Sequence, residues 1–331
     1  VALRHLGALR VAALAVLWGS SFLWIKIGLE AFSPIQITVL RMALGAAVLL
    51  SILRLRGLGL PAGWTTWGHL AVAALFGNAI PYLLFGIGEE TVSSATAGVI
   101  NASAPLWTVL FTVLAYRSGR SAKQNAWSLA LGFAGVLLIF SPWRYGSEIA
   151  SWGGLACLAA AASYGVSYVY IGHYLARRKL GSLSMAAGQL ICATAITLIM
   201  VPILGWPSSQ WDLGPILAIC ALGAFGTGIA YVLNYRIITD DGPTAASIVV
   251  YLLPVVAVVL GMVFLGEHPG IQVIAGLIIV LVGAKLRKAN EQKIPEKAET
   301  FGQDSADTQN PNSLDQSPLP QLKLRSGTAR T

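Results

Sequence analysis

Charge is what this sequence lacks. Aspartate, glutamate, lysine and arginine make up 11% of 331 residues, against about 25% in soluble domains. Eleven of these charges fall between Ala289 and Thr331, which leaves 25 for the first 288 residues. A water-facing surface cannot be built from so few ionic groups when 56% of the chain is hydrophobic and mean hydropathy is +0.69. Composition therefore excludes a soluble globular enzyme and points to an all-α polytopic membrane protein. Cysteine is scarce too. Cys157, Cys192 and Cys220 lie inside apolar runs with no CxxC spacing, so packed thiols are expected rather than disulfides or a metal site. The four histidines, at 5, 69, 173 and 268, form neither HxxxH nor HExxH, and neither metal nor cofactor is expected. The formal net charge of +8 does not imply nucleic acid, because the basic residues flank apolar segments and read as topology determinants.

What is there is a series of apolar runs. A hydrocarbon core about 30 Å thick takes about 20 residues of helix, and ten stretches meet that need. They lie at about 10–29, 35–53, 67–88, 94–116, 125–142, 152–175, 182–204, 213–236, 244–266 and 270–287, and are called here the first to tenth spans. The first is read as a membrane helix and not as a cleaved leader, since its apolar run continues to Leu29. The runs are continuous and do not alternate, which excludes a β-barrel. With the N-terminus inside, the inner connections hold 14 lysines and arginines and the outer ones only Arg144. Both termini are then cytoplasmic, in the plasma membrane. Glu30, Glu89, Glu90, Glu148, Asp212 and Glu267 fall on the outer side, with Asp240 and Asp241 inside. Residues 289–331, rich in Ser, Asn, Gln, Asp and Pro, are expected to form a disordered cytoplasmic tail.

The chain also repeats itself. An offset of 149 carries Phe76-Gly77, Ile80, Tyr82 and Leu84 onto Phe225-Gly226, Ile229, Tyr231 and Leu233, and runs ungapped through Ala97 and Pro105 to Ala246 and Pro254. At nearly the same offset Trp18-Gly19-Ser20-Ser21-Phe22 meets Tyr164-Gly165-Val166-Ser167-Tyr168, and Ser128 and Gly135 meet Gly276 and Gly283. Two copies are expected, residues 1–146 and 147–288, with five spans each. An odd number of spans inserts the second copy upside down, the arrangement many transporters use to build two access states around a central site.

With Pro34 and Arg41 in the second span, the third-to-fourth-span block ending Ala104-Pro105, and Leu265-Gly266-Glu267 after the ninth, the ordered set of motifs from 10 to 287 resembles the EamA-like exporters of the drug/metabolite transporter superfamily. The resemblance implies a metabolite carrier, often an exporter, built from two five-helix repeats. The sixth span departs from the pattern, having Tyr164 where the first has Trp18.

Polar groups in hydrocarbon usually face a partner or a watery cavity. Trp18, Phe22 and Ile25 share one helix face, and Tyr164, Tyr168 and Ile171 repeat it in the sixth span. Asn78, Tyr82 and Phe85 form a third stripe, with Tyr231 and Asn234 in the eighth span, Asn101 and Tyr251 in the fourth and ninth, and Gln189 in the seventh. These are expected to line a central aromatic cavity for small amphipathic solutes; interhelical hydrogen bonding is the competing role. Pro105 and Pro254 are expected to kink their helices as hinges or as static bends. Lys26 and Arg41 are the only cations well inside spans. Arg41 either binds a substrate carboxylate, gates the outer mouth by pairing with Glu30, or snorkels; Lys26, nearer a span end, is expected to snorkel. No carboxylate lies near the middle of any span, so no buried proton relay is visible. The expected function is secondary-type export of amphipathic metabolites, amino-acid-like compounds or drugs, through the lipid bilayer. A membrane sensor or scaffold, or an intramembrane enzyme, is the alternative, and the enzyme lacks any nucleophile–base pair or metal cluster.

Overall fold

The computed structural model describes residues 2–116, 134, 135, 138, 151–178, 180–209, 212–237, 240 and 243–291. Tail residues 292–331 and all but three residues of the fifth span lie outside them. Every regular element among the described residues is helical. Among the described residues, seven helices are long and apolar enough to cross a membrane: Leu6–Gly28, Pro34–Leu55, Trp64–Glu89, Ser94–Ala115, Trp152–Leu175, Ser182–Leu204 and Leu213–Asn234. Pro243–Leu265 and Ile271–Glu291 follow, at the places expected for the ninth and tenth spans. Residues 1–287 form one compact unit; a second runs from Lys288.

The helices start where the sequence supplies caps. Ser33, extended at φ −71° and ψ 159°, precedes Pro34, and its amide donates to Gln36 Oε1 at 2.8 Å, one half of a capping box. Ser93 accepts from the Thr96 amide at the start of the fourth span, and Ser151 from the Gly154 amide at the start of the sixth. Arg10 pairs with Asp240 at 2.8 Å, which gives that acid a counter-charge.

Several spans depart from regular α-helix. The third is π-helical over Leu75–Ala79 and the eighth over Ala221–Ile229. An offset of 149 lays the first of these segments inside the second, so the same rare winding recurs in both copies of the repeat. Each widened turn inserts one residue and frees a carbonyl. The Phe76 carbonyl is taken by Ser163 Oγ at 2.7 Å, and that of Leu222 by Thr227 Oγ1 at 3.0 Å. The fourth span is interrupted at Ala102-Ser103, between Ser94–Asn101 and Ala104–Tyr116. Pro105 stands just after this interruption, whereas Pro254 sits inside the unbroken Pro243–Leu265 helix.

Packing repeats as well. A Cβ on Gly19 would lie 2.6 Å from Val256 Cβ, and one on Gly165 would lie 2.8 Å from the Trp107 and Thr108 backbone. Val256 is Trp107 shifted by 149. The first span is thus pressed on the ninth by the same step that presses the sixth on the fourth. Ser21 beside Gly226 is matched by Ser167 beside Gly77. At the far end of the third span, Gly88 and Gly153 bring their helices into backbone contact around Cys157.

Candidate functional site

The two π segments are linked through a polar and aromatic cluster that runs from Asn78 by Tyr82 and Arg41 to Thr227. Asn78, fully buried, donates from Nδ2 to the hydroxyls of Tyr231 at 3.2 Å and Tyr82 at 3.4 Å. Gln189 Nε2 donates to Asn78 Oδ1 at 2.7 Å. Arg41 Nε donates to Thr227 Oγ1 at 2.9 Å, and its Nη2 to Ser21 Oγ at 3.4 Å. The Arg41 guanidinium carbon lies 3.8 Å above the centre of the Tyr82 ring. A cation over an aromatic face recovers about 2 kcal/mol when desolvated.

Aromatic rings extend the cluster. Trp18 meets Tyr231 edge to face at 6.4 Å, and Phe22 meets Phe85 at 5.4 Å. Phe85 leads to Tyr164 at 6.2 Å, and Tyr164 to Tyr168 at 6.5 Å. The structure therefore joins Trp18, Arg41, Asn78, Tyr82, Gln189 and Tyr231 in one set and Phe22, Tyr164 and Tyr168 in a second, and Tyr164 links the two by packing against the buried cluster that contains Tyr82. Trp18 enters through Tyr231, and Tyr164 through the cluster around Tyr82. Asn234 is half-buried one turn beyond Tyr231. Asn101 stands apart beside the fourth-span interruption, its Oδ1 buried without a partner. Tyr251 lies in the ninth-span helix, and its side chain is outside the described residues.

Two expectations are corrected. Arg41 does not pair with Glu30, which is exposed; among the described residues no carboxylate lies within ion-pair distance of Arg41. Its side chain turns into the bundle onto Tyr82 and Thr227. Glu89 is not an outer-loop residue: it ends the third-span helix and is fully buried, while Glu90 is exposed. The Gly88–Gly153 contact draws the sixth span over that end and covers Glu89.

Thr227 and Ser21 were missed as members of the cluster, though both were within reach. Thr227 is Asn78 shifted by 149, and Ser21 belongs to the first-span motif. Glu267 stands in the sequence as part of the Leu265-Gly266-Glu267 motif. Its carboxylate accepts from the Ser94 and Ala95 amides at 2.7 and 2.8 Å and from Ser94 Oγ at 3.1 Å, so it caps the start of the fourth span from across the bundle. Among the described residues no group of three His, Cys, Asp or Glu could hold a metal ion.

Known proteins match this chain over most of its length. The chain is 26% identical over 281 residues to the uncharacterized transporter YdfC of Bacillus subtilis, covering 83% of this chain and 90% of that protein. It is 30% identical over 267 residues to the uncharacterized inner membrane transporter YedA of Escherichia coli, covering 77% and 81%. A solved crystal structure of 23% identity overlays 88% of this chain and all of its own with a TM-score of 0.59, which supports the fold. The EamA-like transporter family matches residues 5–141 and again residues 151–286. With both halves matched separately, the chain is a multi-pass membrane protein that belongs to the EamA-like transporter family.

Proposed function

We propose that the protein is a secondary-type carrier that exports small amphipathic solutes bearing a carboxylate, amino-acid-like compounds or drugs, by alternating access around the Asn78–Arg41 cluster. One observation carries the substrate class. Arg41 is buried deep in the bundle, roughly 9 Å from its span's end at 1.5 Å per residue, with only neutral hydrogen-bond partners. A buried cation without a counter-ion is costly, and a substrate carboxylate supplies one. Trp18, Phe22, Tyr82, Tyr164 and Tyr231 offer apolar faces for the rest of the solute.

Alternating access is supported by the pairing of equivalent contacts across the two halves. An inverted relation of the halves is supported by which ends meet. Lys26, near the end of the first span, reaches the end of the third at Glu89, and that end also receives the start of the sixth span at Gly153. The first and sixth spans then run in opposite directions. The lysine and arginine bias supports a plasma-membrane orientation with both termini cytoplasmic.

Purified protein in liposomes, assayed for flux of amino acids and amphipathic drugs, tests the reading. Carboxylate-bearing solutes should move, and Arg41→Ala should reduce their transport at least tenfold with less effect on neutral analogues. Folded wild-type protein that moves no member of the panel would leave a sensor or scaffold in its place.

A further inference from the structure

Glu89 and Lys26 meet at the end of the bundle formed by the end of the third span and the start of the fourth. Glu89 is completely buried, and neither carboxylate oxygen has a hydrogen-bond partner. An ammonium is close by and does not take them. Lys26 Nζ donates to the main-chain carbonyl of Glu89 and, at 3.1 Å, to that of Val92. Glu89 and Val92 flank the turn between the third and fourth spans, so Lys26 holds that corner from the first span.

The other charged and titratable groups that face Glu89 do not replace the missing donors. Arg41, from the second span, is committed to Thr227, Ser21 and the Tyr82 ring. Glu267, from the segment after the ninth span, acts on Glu89 as a like charge, with its own oxygens taken by Ser94 and Ala95. The Cys157 thiol, from the sixth span, packs against Gly88. An ionised carboxylate without donors in such a place carries a desolvation cost of several kcal/mol. It would also draw the Lys26 ammonium away from the two carbonyls. A neutral carboxylic acid beside Lys26 leaves the ammonium where the structure has it.

We propose that Glu89 is a proton-binding site, and that its proton sets whether Lys26 latches the corner between the third and fourth spans. With the proton on, Lys26 holds the Glu89 and Val92 carbonyls, as here. When the O–H bond breaks and the proton passes to water, the carboxylate takes the ammonium and both carbonyls are released. The corner is then free to part from the first span. Protonation restores the latch. The link to solute movement rests on the carrier reading above; the proton site itself does not.

The test is infrared difference spectroscopy on the full chain in lipid nanodiscs across a pH titration. The expected result is a carboxylic-acid C=O band that bleaches as pH rises, is absent in Glu89→Gln, and persists in Glu90→Gln and Glu267→Gln. Where Glu89→Gln does not fold, Glu89→Asp keeps the acid and should shift the band. No such band, or one that both Glu89 variants leave unmoved, overturns the proposal. No solute is needed, so a failure of the carrier reading leaves this result standing. With a solute shown to be carried, wild-type liposomes containing a pH-sensitive dye should show solute-driven proton movement. Glu89→Gln should lower that movement at least tenfold while solute exchange continues; proton movement equal to wild type would overturn the coupling.

Discussion

Asn78 and Thr227, 149 residues apart, hold the same place in the two π segments, and each accepts a hydrogen bond from the second helix of the opposite half. Gln189 Nε2 reaches Asn78 Oδ1 at 2.7 Å, and Arg41 Nε reaches Thr227 Oγ1 at 2.9 Å. The two halves thus grip each other through one repeated contact, neutral on one side and cationic on the other. That difference gives an otherwise symmetric centre a charged side.

Removing one partner of the neutral contact exposes its worth. Gln189→Leu leaves Asn78 Oδ1 buried without its donor, a loss of about 1–3 kcal/mol. Thermal unfolding in detergent should show a clearly lowered midpoint. An unchanged midpoint would mean that the pair does not bear on stability.

Glycine substitutions should change sign with position. Alanine gains up to about 1 kcal/mol over glycine in a helix, whereas overpacking a tight contact costs about 1–3 kcal/mol. Gly68 has nothing within 4 Å of an added Cβ, while Gly165 meets the Trp107 and Thr108 backbone at 2.8 Å. Gly68→Ala should hold or raise the unfolding midpoint and Gly165→Ala should lower it; equal effects would contradict the close crossing.

Glu267 serves the fourth span's N-terminus, where a carboxylate complements the free amides and the helix dipole. Glu267→Ala strands two buried amides and should cost about 1–3 kcal/mol. Glu90→Ala, at an exposed position, should stay within about 0.5 kcal/mol. Paired unfolding curves of the two variants decide it.

Trp18 and Tyr164 hold equivalent places in the duplicated helices, Trp18 against Tyr231 and Tyr164 against the cluster around Tyr82. Each ring is worth on the order of 1 kcal/mol to a bound solute beyond its area. Trp18→Ala and Tyr164→Ala should each weaken apparent solute affinity about fivefold or more, with smaller losses in protein abundance. Unaltered transport kinetics in well-expressed Trp18→Leu would remove Trp18 from the solute-binding set.

Reporter fusions test the orientation. Those after Arg56 and Lys179 should score cytoplasmic and those after Glu90 external, and truncation after Asn290 should leave insertion and transport largely intact. An external C-terminal reporter would sink the inverted relation of the halves.

Hydropathy and the offset of 149 determined by themselves that this chain is a membrane bundle of two related halves, because span length and duplication are written in local composition. They also singled out most of the cluster, since polar and aromatic residues repeated at the same depth rarely lack a partner. Tertiary packing alone decided that Arg41 turns to Thr227 and away from Glu30, although Glu30 is much the nearer in sequence. It alone decided that Glu89 is buried while Glu90 is exposed, and that Glu267 caps a helix that begins 173 residues earlier. For Glu89 and Glu90 the reason lies in the packing of the span's end. At a span's end the periodicity that separates inside from outside has run out, and the helix laid against it, here the sixth span at Gly88 and Gly153, determines which charge meets water.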